Sequence, residues 1–296
     1  MKFFLTKEEK AEIYKLYNHK DLPKIKNVFF YCYACFAKIF FYVFFGVGSV
    51  FLALFIFPWI RLFHRTKLQY QIAARKFVSA SFRMFLNFMK IMGVTKVKVD
   101  DREAYKNIHS KIIIANHPSI LDFVYIMSMV PNANCIVRGG LAKTVLGGVI
   151  RQCYIVNTLG FDELCTLCEE TLKEGNNVII FPEGTRTPRH GYNHYKKGAA
   201  RIAYNAKCDI QPILIGGNDK YGLGKHDPLW SYNHTEKYVY DFTLLPVIPV
   251  GEYLECSETI AAKRLTERME KELFEAVSEN DKHYVTNRDT SIAELF

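Results

Sequence analysis

An imidazole and a carboxylate five residues apart carry the clearest chemistry in this chain. They are His117 and Asp122, in the segment KIIIANHPSILDF (111–123). An apolar run leads straight into Asn116-His117-Pro118. Pro118 stops the run because it has no N–H for a sheet ladder, and Ser119 is a good cap for a helix that follows. His117 is thereby placed at the carboxyl end of a strand, where open α/β sheets keep their ligand sites. Asp122 falls in the first turn or so of the helix, within reach of an imidazole nitrogen. A carboxylate there holds the tautomer and stabilises the imidazolium when the other nitrogen takes a proton. A histidine that only caps the helix is the plainer alternative. The His-x4-Asp spacing at a strand–turn–helix junction favours a base and its orienter.

A second segment, NVIIFPEGTRTP (177–188), repeats the design. A buried apolar strand is stopped by Pro182, which is expected to leave Glu183, Gly184, Thr185 and Arg186 exposed at its end. Gly184 lets backbone approach a ligand closely, and Arg186 offers a planar fork suited to phosphate. A surface turn with an incidental arginine would look similar. Lys196, Lys197 and Arg201, close downstream in YKKGAARIA, strengthen the anion reading. The sequence contains no P-loop, no GxGxxG, no HExxH and no GxSxG elbow.

Two CxxC pairs, Cys32/Cys35 and Cys165/Cys168, lack the glycine-rich knuckle or nearby histidine that zinc would use, so packing is expected and no metal. Eight cysteines spread over 296 residues do not read as a disulfide framework, which points to a reducing compartment.

The elements that must hold these residues follow from the pattern after Gly93. Apolar, β-rich runs at 94–100, 111–116, 133–138, 152–157, 177–182, 209–216 and 238–248 read as strands. Helical stretches near 119–130, 161–174 and 195–207 lie between them, and a charged amphipathic helix is expected from Ser257 to Val277, with a loose polar tail after it. Strand–helix alternation argues an α/β fold, a mostly parallel sheet flanked by helices. The division expected is an N-terminal membrane-associated helical region, 1–92, and an α/β domain, 93–296.

A composition of 49% hydrophobic and 23% charged residues excludes a disordered chain. The net charge of +9 is concentrated, since residues 61–100 hold nine Lys/Arg and one acid, Asp100. Such a field calls for an anionic partner. Just before it, Ile39 to Ile60 form 22 residues without a charge. As a helix they would reach roughly 33 Å, enough for a bilayer core. Gly46, Gly48 and Pro58 can bend the run, and both flanks are basic, which suits a segment that enters and leaves on one side.

In the following stretch Lys76, Ser79, Arg83, Asn87 and Lys90 form a polar stripe opposite Phe77, Val78, Phe85, Phe88, Met89 and Met92. This is the make-up of an interfacial helix, with a core-packing helix as the alternative. Interleaving of charge with a continuous apolar face argues against nucleic acid. Deleting 1–92 is expected to free the α/β domain from membranes.

The two site segments together resemble the glycerolipid acyltransferase family, which includes 1-acylglycerol-3-phosphate acyltransferases. NHPSILD matches the NHxxxxD motif and FPEGTR the third motif, in the family's order and strand context. RGGLAKTVLGGVI (138–150) is similar to the second motif, with Arg138 where a phosphate-binding lysine is usual, Val145 for a common proline, and Gly148 in place. YKKGA (195–199) and IQPILI (210–215) resemble the glycine–alanine helix start and the fourth motif. Asn157 stands where an arginine is often found. The resemblance covers roughly residues 90–220 and implies a two-helix membrane-docking element ahead of the domain.

It implies that His117 deprotonates an acceptor hydroxyl, which attacks the thioester of an acyl-CoA or acyl-carrier protein, with Asp122 orienting the base. Ser119 and Cys135 are not nucleophiles in this scheme, and no cofactor is implied. Glu183, Gly184, Thr185 and Arg186 would shape the acceptor site, with Arg138 a second phosphate clamp. The acceptor implied is 1-acylglycerol-3-phosphate, giving phosphatidic acid. Alternatives are another lysolipid or specialised lipid alcohol, or a non-catalytic acyl-chain-binding adaptor. The implied setting is a membrane, with the catalytic domain on its cytoplasmic side and membrane lipids as partners.

Overall fold

The computed structural model describes residues 6–158 and 160–284. The N-terminal part holds α1 (Lys7–Tyr17), α2 (Val28–Phe51), a π turn (Leu52–Ile56), α3 (Phe57–Phe63) and α4 (Lys67–Ile91). There follow β1 (Thr95–Val99), α5 (Arg102–Lys106), β2 (Ile112–Ala115), α6 (Asp122–Met129), β3 (Ala133–Arg138), α7 (Gly147–Cys153) and β4 (Ile155–Asn157). The chain then forms α8 (Phe161–Lys173), β5 (Asn177–Ile180), α9 (Gly198–Ala206), β6 (Ile210–Gly217), β7 (Tyr238–Leu244) and α10 (Glu258–His283). The strands fall on the apolar runs. α10 continues past the expected end at Val277, and residues 285–296 of the expected loose tail lie outside the described residues.

The strands form one sheet in the order β1-β7-β6-β2-β5-β3-β4. Neighbours are parallel except β6 and β7, which run antiparallel. β2 lies between β5 and β6 and is buried on both faces, as its unbroken IIIA requires. The two-residue period sorts that strand. Ile113 and Ala115 join the core beneath α2, α4 and α6, whereas Ile112 and Ile114 join the core beneath α8, α9 and α10. The molecule is a three-layer α/β sandwich, the mostly parallel flanked sheet expected from the sequence.

The N-terminal helices form part of the first layer. α2, the π turn and α3 make one continuous helix, Val28–Phe63. Gly46 and Gly48 do not break it. Pro58 cannot donate to the ladder and its ring crowds the preceding turn, and the chain absorbs this by widening. The N–H of Phe57 bonds to the carbonyl of Leu52 across the π turn. The helix docks on α7 through two small residues: a Cβ on Gly148 would lie 2.4 Å from Cβ of Ala53.

α4 differs from expectation. Its apolar face meets protein, because Val78, Phe82, Phe85 and Met89 are buried in the same core as Phe41 and the sheet. The Phe85 ring lies edge-on to Phe41 at 5.5 Å and stacked on Phe44 at 6.2 Å. Ser79, expected on the polar stripe, is buried, and Phe77, expected on the apolar face, is exposed beside Lys76. An apolar helix face has one composition whether lipid or protein covers it, and α2 supplies the cover. The large exposed apolar surface belongs to α2 and α3 instead, where Phe29, Phe36, Val43, Val47, Leu54, Trp59 and Leu62 face outward, Phe29 at 90% exposure.

This packing changes the result expected from deleting residues 1–92. Phe41, Val78, Phe82, Phe85 and Met89 would all be lost from the core. At roughly 1.5–3 kcal/mol per buried side chain they contribute on the order of 10 kcal/mol together. That is comparable to the whole stability of a typical domain, about 5–15 kcal/mol. Chain 93–296 alone is therefore expected to bind a hydrophobic dye and to lack near-ultraviolet circular dichroism. A soluble 93–296 fragment with a cooperative thermal transition would contradict the shared core.

Candidate active site

The turn between β2 and α6 presents the catalytic candidates, and Asn116 fixes its base. The buried Asn116 side chain donates to the carbonyl of Ile215 (3.0 Å) and accepts from its N–H (2.8 Å), stitching the end of β2 to β6. His117 follows, half-buried, with Nδ1 2.9 Å from Oδ2 of Asp122. α6 begins at Asp122 itself rather than near Ser119, so the carboxylate sits at the helix start and reaches back to the ring. Asp122 is fully buried, and it also accepts from the N–H of Ser119 (2.7 Å) and from its hydroxyl. The Ser119 hydroxyl lies 2.8 Å from the Tyr240 hydroxyl as well. A sealed carboxylate beside Nδ1 selects the tautomer with the proton on Nδ1, leaving the Nε2 lone pair free to take a proton. The imidazole stacks on Phe181 at 4.1 Å with planes 20° apart, which fixes its tilt.

The segment after β5 supports this turn from below. Glu183 departs from expectation: it is only 5% exposed and does not line an open surface. Its Oε1 accepts from the backbone N–H of His117 (3.2 Å) and from the Thr187 hydroxyl (2.5 Å), and its Oε2 from Asn193 (2.8 Å). Thr187 also receives the His117 N–H on its hydroxyl and donates its own N–H to the His117 carbonyl at 2.8 Å. Burial raises the Glu183 carboxyl pKa, and the bonds from Thr187, Asn193 and His117 oppose that rise. Glu183 thus holds the His117 main chain in place.

Gly184 turns at φ +66°, in the left-handed region, and a Cβ there would lie 2.7 Å from the Lys196 ammonium. Its carbonyl accepts from Arg138 Nη2 (2.9 Å), so the end of β3 and the loop after β5 meet as expected. Thr185 is half-buried in the same turn. Arg186 donates through Nη1 to the carbonyls of Leu223 (2.9 Å) and Gly224 (2.6 Å), on the loop after β6. Arg201 turns away from this group, pairing with Glu258 at 2.7 Å and stacking on Phe161.

Sequence reasoning did not find Phe181, Thr187, Asn193 or Tyr240. Phe181 opens the FPEGTR segment and Thr187 directly follows it, so that position was the available signal, while Asn193 and Tyr240 carry none. Among the described residues no group of three or more His, Cys, Asp or Glu is placed to hold a metal, and the eight cysteines are free thiols.

Comparison with known proteins adds the following. The acyltransferase family pattern matches residues 96–216, which span both site segments. The chain is 26% identical over 203 residues to the chloroplastic 1-acyl-sn-glycerol-3-phosphate acyltransferase LPAT1 of Arabidopsis thaliana, covering 67% of this chain and 53% of that one. It is 26% identical over 209 residues to the 1-acyl-sn-glycerol-3-phosphate acyltransferase of Helicobacter pylori, covering 67% and 78%. The chain thus spans about half the length of the plant relative. The crystal structure of the 1-acyl-sn-glycerophosphate acyltransferase PlsC from Thermotoga maritima superposes with a TM-score of 0.58 over 86% of this chain and 97% of that one. At 22% identity, that likeness concerns the fold.

Proposed function

We propose that the chain is a glycerolipid acyltransferase that acylates the free hydroxyl of 1-acylglycerol-3-phosphate to give phosphatidic acid. The observation that carries this reading is the contact of His117 Nδ1 with a fully buried Asp122, which leaves Nε2 as the free base. Nε2 takes the proton of the acceptor hydroxyl as its oxygen attacks the thioester carbonyl. The tetrahedral adduct collapses with loss of the thiolate, and the imidazolium returns its proton to that sulfur. Asp122 stabilises the imidazolium in between. The donor is an acyl thioester, carried by coenzyme A or an acyl-carrier protein, and the scheme uses no metal or bound cofactor.

Arg138, bonded to the Gly184 carbonyl, and Arg186, bonded to the carbonyls of Leu223 and Gly224, supply positive charge for the acceptor phosphate. The outward apolar face of α2 and α3 seats the protein on a membrane, with the basic residues Arg61, Arg65 and Lys67 at one end to meet anionic headgroups. The catalytic domain lies on the cytoplasmic side in this reading. A lipid acceptor then reaches His117 without its chain crossing water.

A second acceptor, a lysolipid or lipid alcohol without a phosphomonoester, is favoured by one feature, Arg138 in place of the family's lysine. Arg186→Ala separates the two. For a phosphorylated acceptor, losing a charge-assisted contact of roughly 1.5–3 kcal/mol raises the acceptor KM by ~10–150-fold. The preference for lysophosphatidic acid over its dephosphorylated monoacylglycerol should fall with it. A wild type that uses both equally, with a ratio unchanged by Arg186→Ala, would exclude phosphate as the recognised group.

A further inference from the structure

The loop after β6, residues 218–227, belongs to neither recognised site segment, yet it is built against both. The carbonyl of Leu223 accepts from the Ile120 N–H at 3.1 Å, on the His117 turn, and from Arg186 at 2.9 Å. Asp227 ties the loop internally, its Oδ2 accepting from the N–H groups of Gly222 (2.7 Å) and Gly224 (2.8 Å). From the other side, the Lys38 ammonium on α2 donates to the Gly222 carbonyl at 2.9 Å. A loop pinned at this many points holds its side chains in fixed places. It also contains a strained position, since His226 sits at φ +64°, and such strain gathers at functional sites.

Lys225 is the residue this framework displays. It follows directly on Gly224, whose carbonyl Arg186 grips at 2.6 Å, so its charge is added to those of Arg186 and Arg138. Its ammonium lies over the ring of the buried Tyr17 at 5.4 Å, and that ring also meets His226 edge-on at 5.0 Å. The neighbouring carboxylate is otherwise engaged, for Asp227 turns Oδ2 to the loop N–H groups and Oδ1 toward His19 at 3.6 Å. The Lys225 charge thus adds to those of Arg138 on β3 and Arg186 after β5, where the Lys196 ammonium also lies against Gly184. The nearby carboxylates Asp227 and Asp219 face His19 and Arg189, and among the described residues none forms an ion pair with Lys225, Arg138 or Arg186, which fits an anionic ligand.

We propose that Lys225 is a specificity-determining residue, a further cation of a site for the acceptor's phosphomonoester. A monoester carries close to two negative charges at neutral pH, where a phosphodiester carries one, and an added cation rewards the extra charge. Burial and the charges of Arg138 and Arg186 push the Lys225 ammonium below its ordinary pKa, a cost that a bound anion relieves.

The inference rests on the acyl-transfer reading above and can fail separately from it. The probes are lysophosphatidic acid and monoacylglycerol as acceptors and an acyl-CoA as donor, with the full-length protein and its Lys225→Met and Lys225→Arg variants. Lys225→Met keeps the aliphatic stem over Tyr17 and removes the charge. It should raise the KM for lysophosphatidic acid about tenfold and lower the preference over monoacylglycerol by a similar factor, with Lys225→Arg restoring most of both. An unchanged KM for lysophosphatidic acid would overturn the assignment. So would a rise confined to the acyl-CoA KM, which would give Lys225 to the donor's phosphates. Wild-type protein inactive on both acceptors would instead overturn the acyl-transfer reading on which the assignment depends, and activity on monoacylglycerol alone would overturn the assignment itself.

Discussion

His117→Ala is expected to lower the proposed acyl transfer by ~10²–10⁴-fold, the range for losing a positioned general base, and to leave the fold intact. The imidazole is half-buried and its removal strips no large core contact, the main one being the stacked Phe181. The turn around it is held by main-chain and neighbouring side-chain bonds that alanine keeps: the His117 N–H to Glu183 and Thr187, and its carbonyl to the Thr187 N–H. Thermal unfolding should therefore shift little while turnover collapses. Turnover within a few-fold of wild type would remove His117 from the mechanism.

Asp122→Asn is expected to cost nearly as much by a different route. The change keeps size but places an amide where the buried carboxylate accepts from His117, the Ser119 N–H and the Ser119 hydroxyl. An amide N–H facing Nδ1 favours the opposite tautomer, with the proton on Nε2, so the nitrogen that should act as base is already occupied. A loss on the order of 10²–10⁴-fold in kcat follows, and because the same carboxylate oxygen also accepts the Ser119 N–H, the amide N–H placed there faces that donor too, at about 1–3 kcal/mol of stability. The two residues act as a unit, so His117→Ala/Asp122→Asn should be no slower than His117→Ala alone. Multiplying losses in the double variant would mean that Asp122 serves catalysis independently of His117.

Features settled within one short segment could be read from the sequence. β2 is a short all-apolar run and β5 is apolar after Asn177, ended by the Asn116-His117-Pro118 turn and by Pro182, so strand, stop and site residue can be inferred together, and His117 with Asp122 emerges from that local logic. Glu183 does not. Its burial depends on Thr187 and Asn193, which fold back over it from a loop whose path no local pattern fixes. Arg201 was misread as part of an anion cluster because proximity along the chain says nothing of the direction in which Glu258 draws it. The residues of α4 fit a lipid interface equally well, and only its packing against α2 and α6 makes its apolar face core. The loop at 218–227 joins the site through main-chain carbonyls at Leu223 and Gly224, groups that every residue carries and no motif records.

Product formation by the purified full-length protein tests the central claim most directly. It would be supplied with lysophosphatidic acid, monoacylglycerol and a labelled acyl thioester, the last as acyl-CoA in one arm and as acyl-carrier protein in the other, with product lipids read by mass spectrometry. The account predicts labelled phosphatidic acid as the main product in at least one donor arm, and its loss by ~10²–10⁴-fold in His117→Ala. Wild-type protein that leaves lysophosphatidic acid untouched with both donors, or that labels monoacylglycerol in preference to it, would contradict the account.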